Sequence, residues 1–451
     1  MKIHHHGAKA GVTGSCHQLD TEWGSLLVDC GLFQGKEERP LEVDFSVNGI
    51  NALILTHAHI DHIGRLPWLL AAGFTSPIYC TEATAALVPL MLDDGLRLQL
   101  GLDSRQRRRV LELIQRLTVP VEYGMWQNVA PAGKEGLLIR FQPAGHILGS
   151  AYVEVKAPDN RVVVFSGDLG PANTPLLPDP VSPERADIVV LESTYGDKNH
   201  SSVESRAGQL KAMVEKSLDD GGAILIPAFS VGRTQELLFD LENIVANVFN
   251  ETERKDWSRL PVILDSPLAL EVTKQYRDFK TLWGKEAKVR LTKGRHPLAF
   301  EQCVTIENHR DHLALVNRLK QSGEPALVVA ASGMCNGGRI LNYLKALLPD
   351  ACTDVILAGY QAEGTLGREL QQGRKGVNIE NEEISVNANI HTLSGYSAHA
   401  GKDELVTFAC NIDHPPKEIR LVHGERTSQE SLARELRSRL PNTMVSLASD
   451  L

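Results

Sequence analysis

Three histidines and an aspartate fall within six residues in Thr56-His57-Ala58-His59-Ile60-Asp61-His62, and such a set is suited to holding metal ions. An extended backbone puts His57 and His59 on one side, so both reach one ion. Asp61 and His62 are adjacent where Ile63 to Leu70 begins to read as a helix, with Gly73 as its stop. All four around a single tetrahedral ion would be strained, so the spacing predicts a second ion. Histidines with a carboxylate suit zinc or a similar borderline metal, whereas calcium and magnesium demand oxygen shells. His146, following Phe141-Gln142-Pro143-Ala144-Gly145, and Asp168, in Ser166-Gly167-Asp168, offer further ligands. A carboxylate can bridge two cations and hold them about 3.5–4 Å apart. The chemistry expected is metal-assisted hydrolysis.

Something must carry these residues to one place. Short β-rich apolar runs end on them: Leu26-Leu27-Val28 at Asp29, Leu53-Ile54-Leu55-Thr56 at His57, and Ile188-Val189-Val190-Leu191 at Glu192. Val162-Val163-Val164-Phe165 leads to Asp168, and Ile419-Arg420-Leu421-Val422 ends at His423. Runs of this length read as buried strands. Reactive groups in α/β folds gather at strand ends, so one shared sheet edge is expected.

The middle of the chain repeats strand, loop and helix. Ala223-Ile224-Leu225-Ile226 precedes Pro227 to Thr234, and Val262-Ile263-Leu264 precedes Asp265-Ser266-Pro267. Leu327-Val328-Val329-Ala330 precedes Ser332-Gly333-Met334 with Gly337-Gly338-Arg339, and Val355-Ile356-Leu357 precedes Gly359-Tyr360-Gln361. That order implies a parallel sheet covered by helices. It is placed at 205–370 as an insertion, because Asp29 to Glu192 lie before it and His391, His399 and His423 after it.

Composition sets wide limits. With 451 residues, 42% apolar and 23% charged, the chain is of ordinary globular type, large enough for two domains. No apolar run approaches the roughly 18 residues needed to span a bilayer, and Met1-Lys2-Ile3-His4 is too polar to open a secretory signal. Seven cysteines without paired spacing point to a reducing cytoplasm. A net charge of −9 argues against a nonspecific coat for nucleic acid, but not against a local basic surface.

These residues together resemble the metallo-β-lactamase superfamily and, within it, the β-CASP nucleases. Asp29, then His57-Ala58-His59-Ile60-Asp61-His62, then His146, then Asp168 look like the four metal motifs. Leu191-Glu192-Ser193-Thr194-Tyr195-Gly196 looks like motif A, Ser394-Gly395-Tyr396-Ser397-Ala398-His399 like motif B, and Val422-His423-Gly424-Glu425 like motif C. The resemblance implies an α/β fold: an αββα sandwich over 1–204 and 371–451, with a β-CASP domain over 205–370. It implies that His57, His59 and His146 bind one Zn2+ and Asp61, His62 and His423 another, with Asp168 bridging and Asp29 in support. Mn2+ is the alternative metal. A water activated between the ions would attack phosphorus, and His399, held by Glu192, would protonate the leaving oxygen.

On the same resemblance, a histidine at motif C points to single-stranded RNA rather than DNA, and Ser397-Ala398-His399 to endonucleolytic cutting in RNA processing or decay. Gly401 stands where related sequences often carry aspartate. Without the extra domains of larger relatives, the chain reads as a stand-alone core, with a dimer expected and no membrane partner. Other readings are a 5′–3′ exoribonuclease, a hydrolase of DNA, a thioester or a lactone, and a silent RNA-binding scaffold; a complete ligand set argues against the last.

In the insert, Ser332, Gly333, Gly337 and Gly338 precede a helix whose N-terminus could offer N–H groups to phosphate. Arg233, Arg339 and Arg368 follow strand ends there and are candidate RNA contacts. His4-His5-His6 reads as strand edge or surface, and His309 with His312 as surface. Arg105-Gln106-Arg107-Arg108-Arg109 reads as a charged helix face. Cys16, Cys30 and Cys80 read as small apolar packing.

Overall fold

A computed structural model describes the chain except residues 130–134, 201–202, 249–255, 360 and 394; Tyr360 and Ser394, named above, therefore lie outside the described residues. It divides into two compact units, Met1–Asn199 with Ala398–Leu451, and His200–Ser397.

The first unit holds two sheets, one of six strands and one of seven. One runs β1 (Lys2–His5), β2 (His17–Thr21), β3 (Gly24–Val28), β4 (Ile50–Ile54), β5 (Ile78–Thr81), β6 (Thr118–Val121), in that order. The other takes β7 (Gln127–Asn128), β8 (Leu138–Pro143), β9 (Ala151–Lys156), β10 (Val162–Phe165) and β11 (Ile188–Glu192) before the second unit. The second unit contributes β12 (Ala223–Pro227), β13 (Val262–Asp265), β14 (Cys303–Thr305), β15 (Ala326–Ala330), β16 (Asp354–Leu357), β17 (Gly376–Ile379), β18 (Glu382–Ser385) and β19 (Asn389–Thr392). β20 (Glu418–Val422) and β21 (Met444–Leu447) then return to the first unit's second sheet, ordered β21-β20-β11-β10-β9-β8-β7.

Strand β10 shows why its run is apolar throughout. Val163 and Phe165 face the other sheet, in a core with Leu26, Val28, Ile54 and Val153. Val162 and Val164 face outward, under Leu405, Phe408, Leu432 and Leu436 of the helices Lys402–Cys410 and Arg426–Arg439. Period-2 alternation thus serves two buried faces, and the helices Glu82–Leu100 and Ser104–Leu117 lie with the first sheet. The result is the αββα sandwich. β3 and β4 are parallel, as are β10, β11 and β20, so their C-terminal ends share an edge.

The second unit is a parallel six-stranded sheet, β14-β13-β15-β12-β16-β19, plus the β17–β18 hairpin. It continues past 370 to Ser397 because β19 pairs in parallel with β16 as its edge strand. His391 sits on β19 and bonds to Asp354, so it belongs here and not with the metal-type residues that follow the insert. No helix among the described residues is long and apolar enough to cross a membrane.

Candidate metal centre

The loop after β4 departs from the expected single helix. Helix begins at Ile60, so Asp61 and His62 lie in its first turn, and it stops at Ile63. The next helix, Leu66–Ala71, carries Pro67 near its start. Between them the Cys30 carbonyl accepts from the Arg65 amide at 2.9 Å, and a Cβ on Gly64 would come 2.5 Å from the Ile60 carbonyl oxygen. The break aligns Asp61 and His62 with residues from four other strand ends.

Two donor sets result. In one, His59 Nδ1 lies 3.1 Å from His57 Nε2 and 2.9 Å from His146 Nε2. Asp168 Oδ2 closes it at 3.5 Å from His57 Nε2 and 3.6 Å from His146 Nε2. In the other, His62 Nε2 lies 3.3 Å from His423 Nε2, 3.3 Å from Asp168 Oδ1 and 3.7 Å from Asp61 Oδ2. Asp61 Oδ2 is 3.2 Å from His423 Nε2. Tetrahedral ligands about 2.0–2.1 Å from a zinc-sized ion stand about 3.3 Å from each other, so both sets fit one ion each. Asp168 Oδ1 is buried and accepts no hydrogen bond, a costly state that a cation would relieve. Asp168 offers one oxygen to each set.

Outer ring nitrogens of three of these histidines have partners of their own. Asp29 Oδ2 is 2.7 Å from His62 Nδ1, His146 Nδ1 donates to the Ala398 carbonyl at 2.6 Å, and Thr194 Oγ1 is 3.2 Å from His423 Nδ1. Such outer partners fix which nitrogen points inward.

Charge is divided between the sets. Burial holds His57 and His146 well below the usual imidazole range and brings His59 down to about 4, leaving neutral donors. Burial also disfavours charge on His62 and His423, but there the carboxylates win. Asp168, Asp29 and Asp61 hold His62 well up, and Asp168 and Asp61 bring His423 to about 9. Burial opposes charge on Asp61 and Asp168 too, yet the surrounding histidines lower both, Asp61 to about 2. Metal uptake must displace the protons of the second set.

His399 flanks both sets. Its Nδ1 is 3.3 Å from each Glu192 oxygen and its Nε2 3.9 Å from Asp168 Oδ2, with 21% of the side chain exposed. Burial penalises the imidazolium, but Glu192 and Asp168 outweigh it and raise the pKa. Near His399, Glu404 accepts from the Gly401 amide at 2.7 Å, and the Leu169 carbonyl accepts from the Ala400 amide at 2.7 Å.

Fold and centre together are those of a metal-dependent hydrolase. Comparison with known proteins agrees: residues 12–228 match the metallo-beta-lactamase superfamily, 234–370 the Beta-Casp domain, and 383–445 the Zn-dependent metallo-hydrolase RNA specificity domain. The chain belongs to the β-CASP family of metallo-hydrolases, whose ribonuclease members it resembles along nearly its whole length. It is 36% identical to ribonuclease TTHA0252 of Thermus thermophilus, over 97% of this chain and 96% of that one. Transcription termination factor FttA of Methanocaldococcus jannaschii is 30% identical over 93% of this chain, which spans 66% of that longer protein. An RNase J-like protein of the same organism is 31% identical, over 95% and 93% of the two chains. A solved structure of a protein of unknown function from Enterococcus faecalis V583 shares the fold, with TM-score 0.52, 11% identity, and 98% and 96% coverage.

Two site residues had no assigned role in the sequence. Thr56 donates to Asp29 Oδ2 and Thr194 to Glu192 Oε2, at 2.8 and 2.6 Å. Thr56 directly precedes His57 and Thr194 lies two residues after Glu192, and that nearness in sequence was the available signal.

Within the insert, the loop at 332–338 meets the segment before Arg368, the Gly367 amide donating to the Met334 carbonyl at 3.1 Å. Arg339 donates to Asp265 Oδ1 at 2.6 Å and to the carbonyls of Ile306 and Glu307, so its guanidinium is engaged within the unit. Arg233 is buried, donating to the Tyr396 carbonyl at 3.1 Å over Gly359. Arg368 is exposed and donates to Gln371. The loop of Ser332, Gly333, Gly337 and Gly338 bonds to itself. Ser332 N donates to the Gly337 carbonyl and Asn336 N to Ser332 Oγ, which makes it a tight β-to-α connection. His312 is not on the surface: it is fully buried, 2.7 Å from Asp265 Oδ2. His5 is buried as well, its Nδ1 3.0 Å from His17 Nδ1, while His4 stays exposed.

Proposed function

We propose that the protein is a zinc-dependent ribonuclease that hydrolyses phosphodiester bonds in single-stranded RNA, cutting internally, in the cytoplasm. The observation that carries this reading is Asp168, whose two oxygens complete two donor sets beside a histidine–carboxylate pair. His57, His59 and His146 would hold one ion and Asp61, His62 and His423 the other, Asp168 serving both; Mn2+ suits the same donors. Bound there, the ions supply Lewis acidity that offsets charge on the phosphoryl group and acidifies water.

The chain's own part is positioning and proton transfer. Glu192 accepts from Leu169 N at 2.7 Å and from Thr194 Oγ1, so its carboxylate is fixed before it meets His399. It holds the His399 ring by Nδ1 and leaves Nε2 facing the donor sets. A protonated Nε2 donates to the leaving oxygen, giving 5′-phosphate and 3′-hydroxyl ends. His423 supports RNA over DNA, and relatives of the chain are named a ribonuclease and a transcription termination factor.

The test is a time course with 5′-labelled and 3′-labelled single-stranded RNA, alongside DNA of the same sequence and metal analysis of the protein. Internal fragments are expected first, on RNA only, with two equivalents of zinc. Mononucleotides first would make it an exonuclease. Cleavage by metal-free protein would remove the mechanism.

A further inference from the structure

The arginine run at 105–109 lies on the helix Ser104–Leu117, which is sharply two-sided. At 100° per residue, Arg105, Arg108, Arg109, Glu112 and Arg116 fall within an arc of about 100°, opposite Ile114. All five are exposed and Ile114 is buried. The four arginines form no ion pair with any described residue, in a chain whose net charge is −9. Nearby acids are already engaged. Asp93 accepts from Arg107 at 2.7 Å, Asp94 pairs with Arg97, and Asp103 caps the helix by accepting from the Arg105 and Gln106 amides. Glu112 is the one acid within the stripe.

The helix is also anchored close to the metal loop. The preceding helix, Glu82–Leu100, sets Gly95 beside Ile60, where a Cβ would make ordinary contact at 3.4 Å from Ile60 Cδ1, and Ile60 sits between His59 and Asp61. Two residues earlier, Asp93 ties that helix to Arg107, which also donates to the Leu102 carbonyl at 2.8 Å. A reciprocal cap by Asp103 and Gln106 fixes the N-terminal end. The stripe therefore stands one helix away from the metal loop, on a helix capped at its start and tied to its neighbour. From Arg105 to Arg116 it covers about 16 Å, a length over which a single strand presents several phosphates.

We propose that this face is a track for the backbone of single-stranded RNA outside the cleavage centre, Arg105, Arg108, Arg109 and Arg116 contacting phosphates. The inference rests on the reading of the protein as an RNA-cleaving enzyme. Guanidinium forks suit phosphate oxygens without reading base identity, so the track adds affinity and length preference rather than sequence choice.

The test measures binding of a labelled 30-nucleotide single-stranded RNA to full-length His399→Ala protein, with and without Arg→Gln at all four positions, across a salt series. Loss of four phosphate contacts flattens the slope of log affinity against log salt by roughly 2–3 and weakens binding at moderate salt by about tenfold or more. Glu112→Gln, in the same stripe, tightens binding, which a structural role for the helix would not produce. An unchanged slope and affinity in the fourfold variant overturn the track. Should that variant melt early, the single variants decide, each expected to flatten the slope by about 0.7. A parent protein that ignores RNA at low salt defeats the ribonuclease reading itself, and the track with it.

Discussion

Asp29 Oδ2 lies 2.7 Å from His62 Nδ1, and both side chains are 1% exposed. The contact fixes the ring so that Nε2 faces Asp168 and His423. Thr56 reinforces it, its amide and hydroxyl donating to the two Asp29 oxygens. Asp29 thus acts through His62 without joining either donor set. Asp29→Ala is expected to lower affinity for the second ion by about 10–100-fold and leave the first bound. Chelator competition measures this; two unchanged affinities would deny the positioning role.

The donor sets should separate by metal count. His423→Ala removes a ligand from one set only, so about one zinc equivalent per chain should remain. Asp168→Ala strips both sets and should leave little bound metal and no cleavage. Elemental analysis of the two purified variants reads the difference, and equal losses would contradict two sites.

His399→Ala is expected to cut kcat by about 10²–10⁴ with both metal equivalents retained. Glu192→Gln should reduce kcat less, because the amide still holds the ring but no longer stabilises its charge. Single-turnover cleavage with parallel metal analysis separates this from loss of the centre.

In the second unit, Asp265 is buried yet below the usual carboxylate range, because hydrogen bonds from His312, Tyr343 and Arg339 outweigh the burial penalty. A depressed folded pKa adds stability above the unfolded value of about 3.9 and loses it as pH falls through the lower folded value. Asp265→Asn should therefore melt earlier than the parent by a constant margin from neutral pH to about 5, and the margin should shrink below about pH 4. A margin independent of pH would show that charge is not what Asp265 contributes.

Gly31 faces the metal loop so closely that a Cβ would lie 1.5 Å from the Asp61 carbonyl oxygen. Gly31→Ala must push that backbone away, costing about 1–3 kcal/mol and loosening the second ion together with the fold. Thermal melting and metal retention should fall together.

Much of this was legible in the sequence because strand ends announce themselves. Each apolar run stops on one polar residue, and those residues meet at one edge. What escaped depends on distant partners. His312, beside Asp311 and Glu307, reads as surface until Asp265, 47 residues away, is seen to accept from it. Arg339 reads as a ligand-facing cation until the same aspartate claims it. Strand β19, Asn-Ile-His-Thr, lacks an apolar run, and only pairing with β16 makes it a strand. The helix at Ile60 hides because its first turn is written in residues of the candidate metal centre.

The second unit divides the donors in the order of translation. His57, His59, Asp61, His62, His146 and Asp168 are made before it, whereas His399 and His423 are made after it. A growing chain holds all of one donor set but lacks the other's final histidine, and His399, until the insert has been synthesised. A nuclease that emerges beside its own message thus acquires its cutting chemistry last.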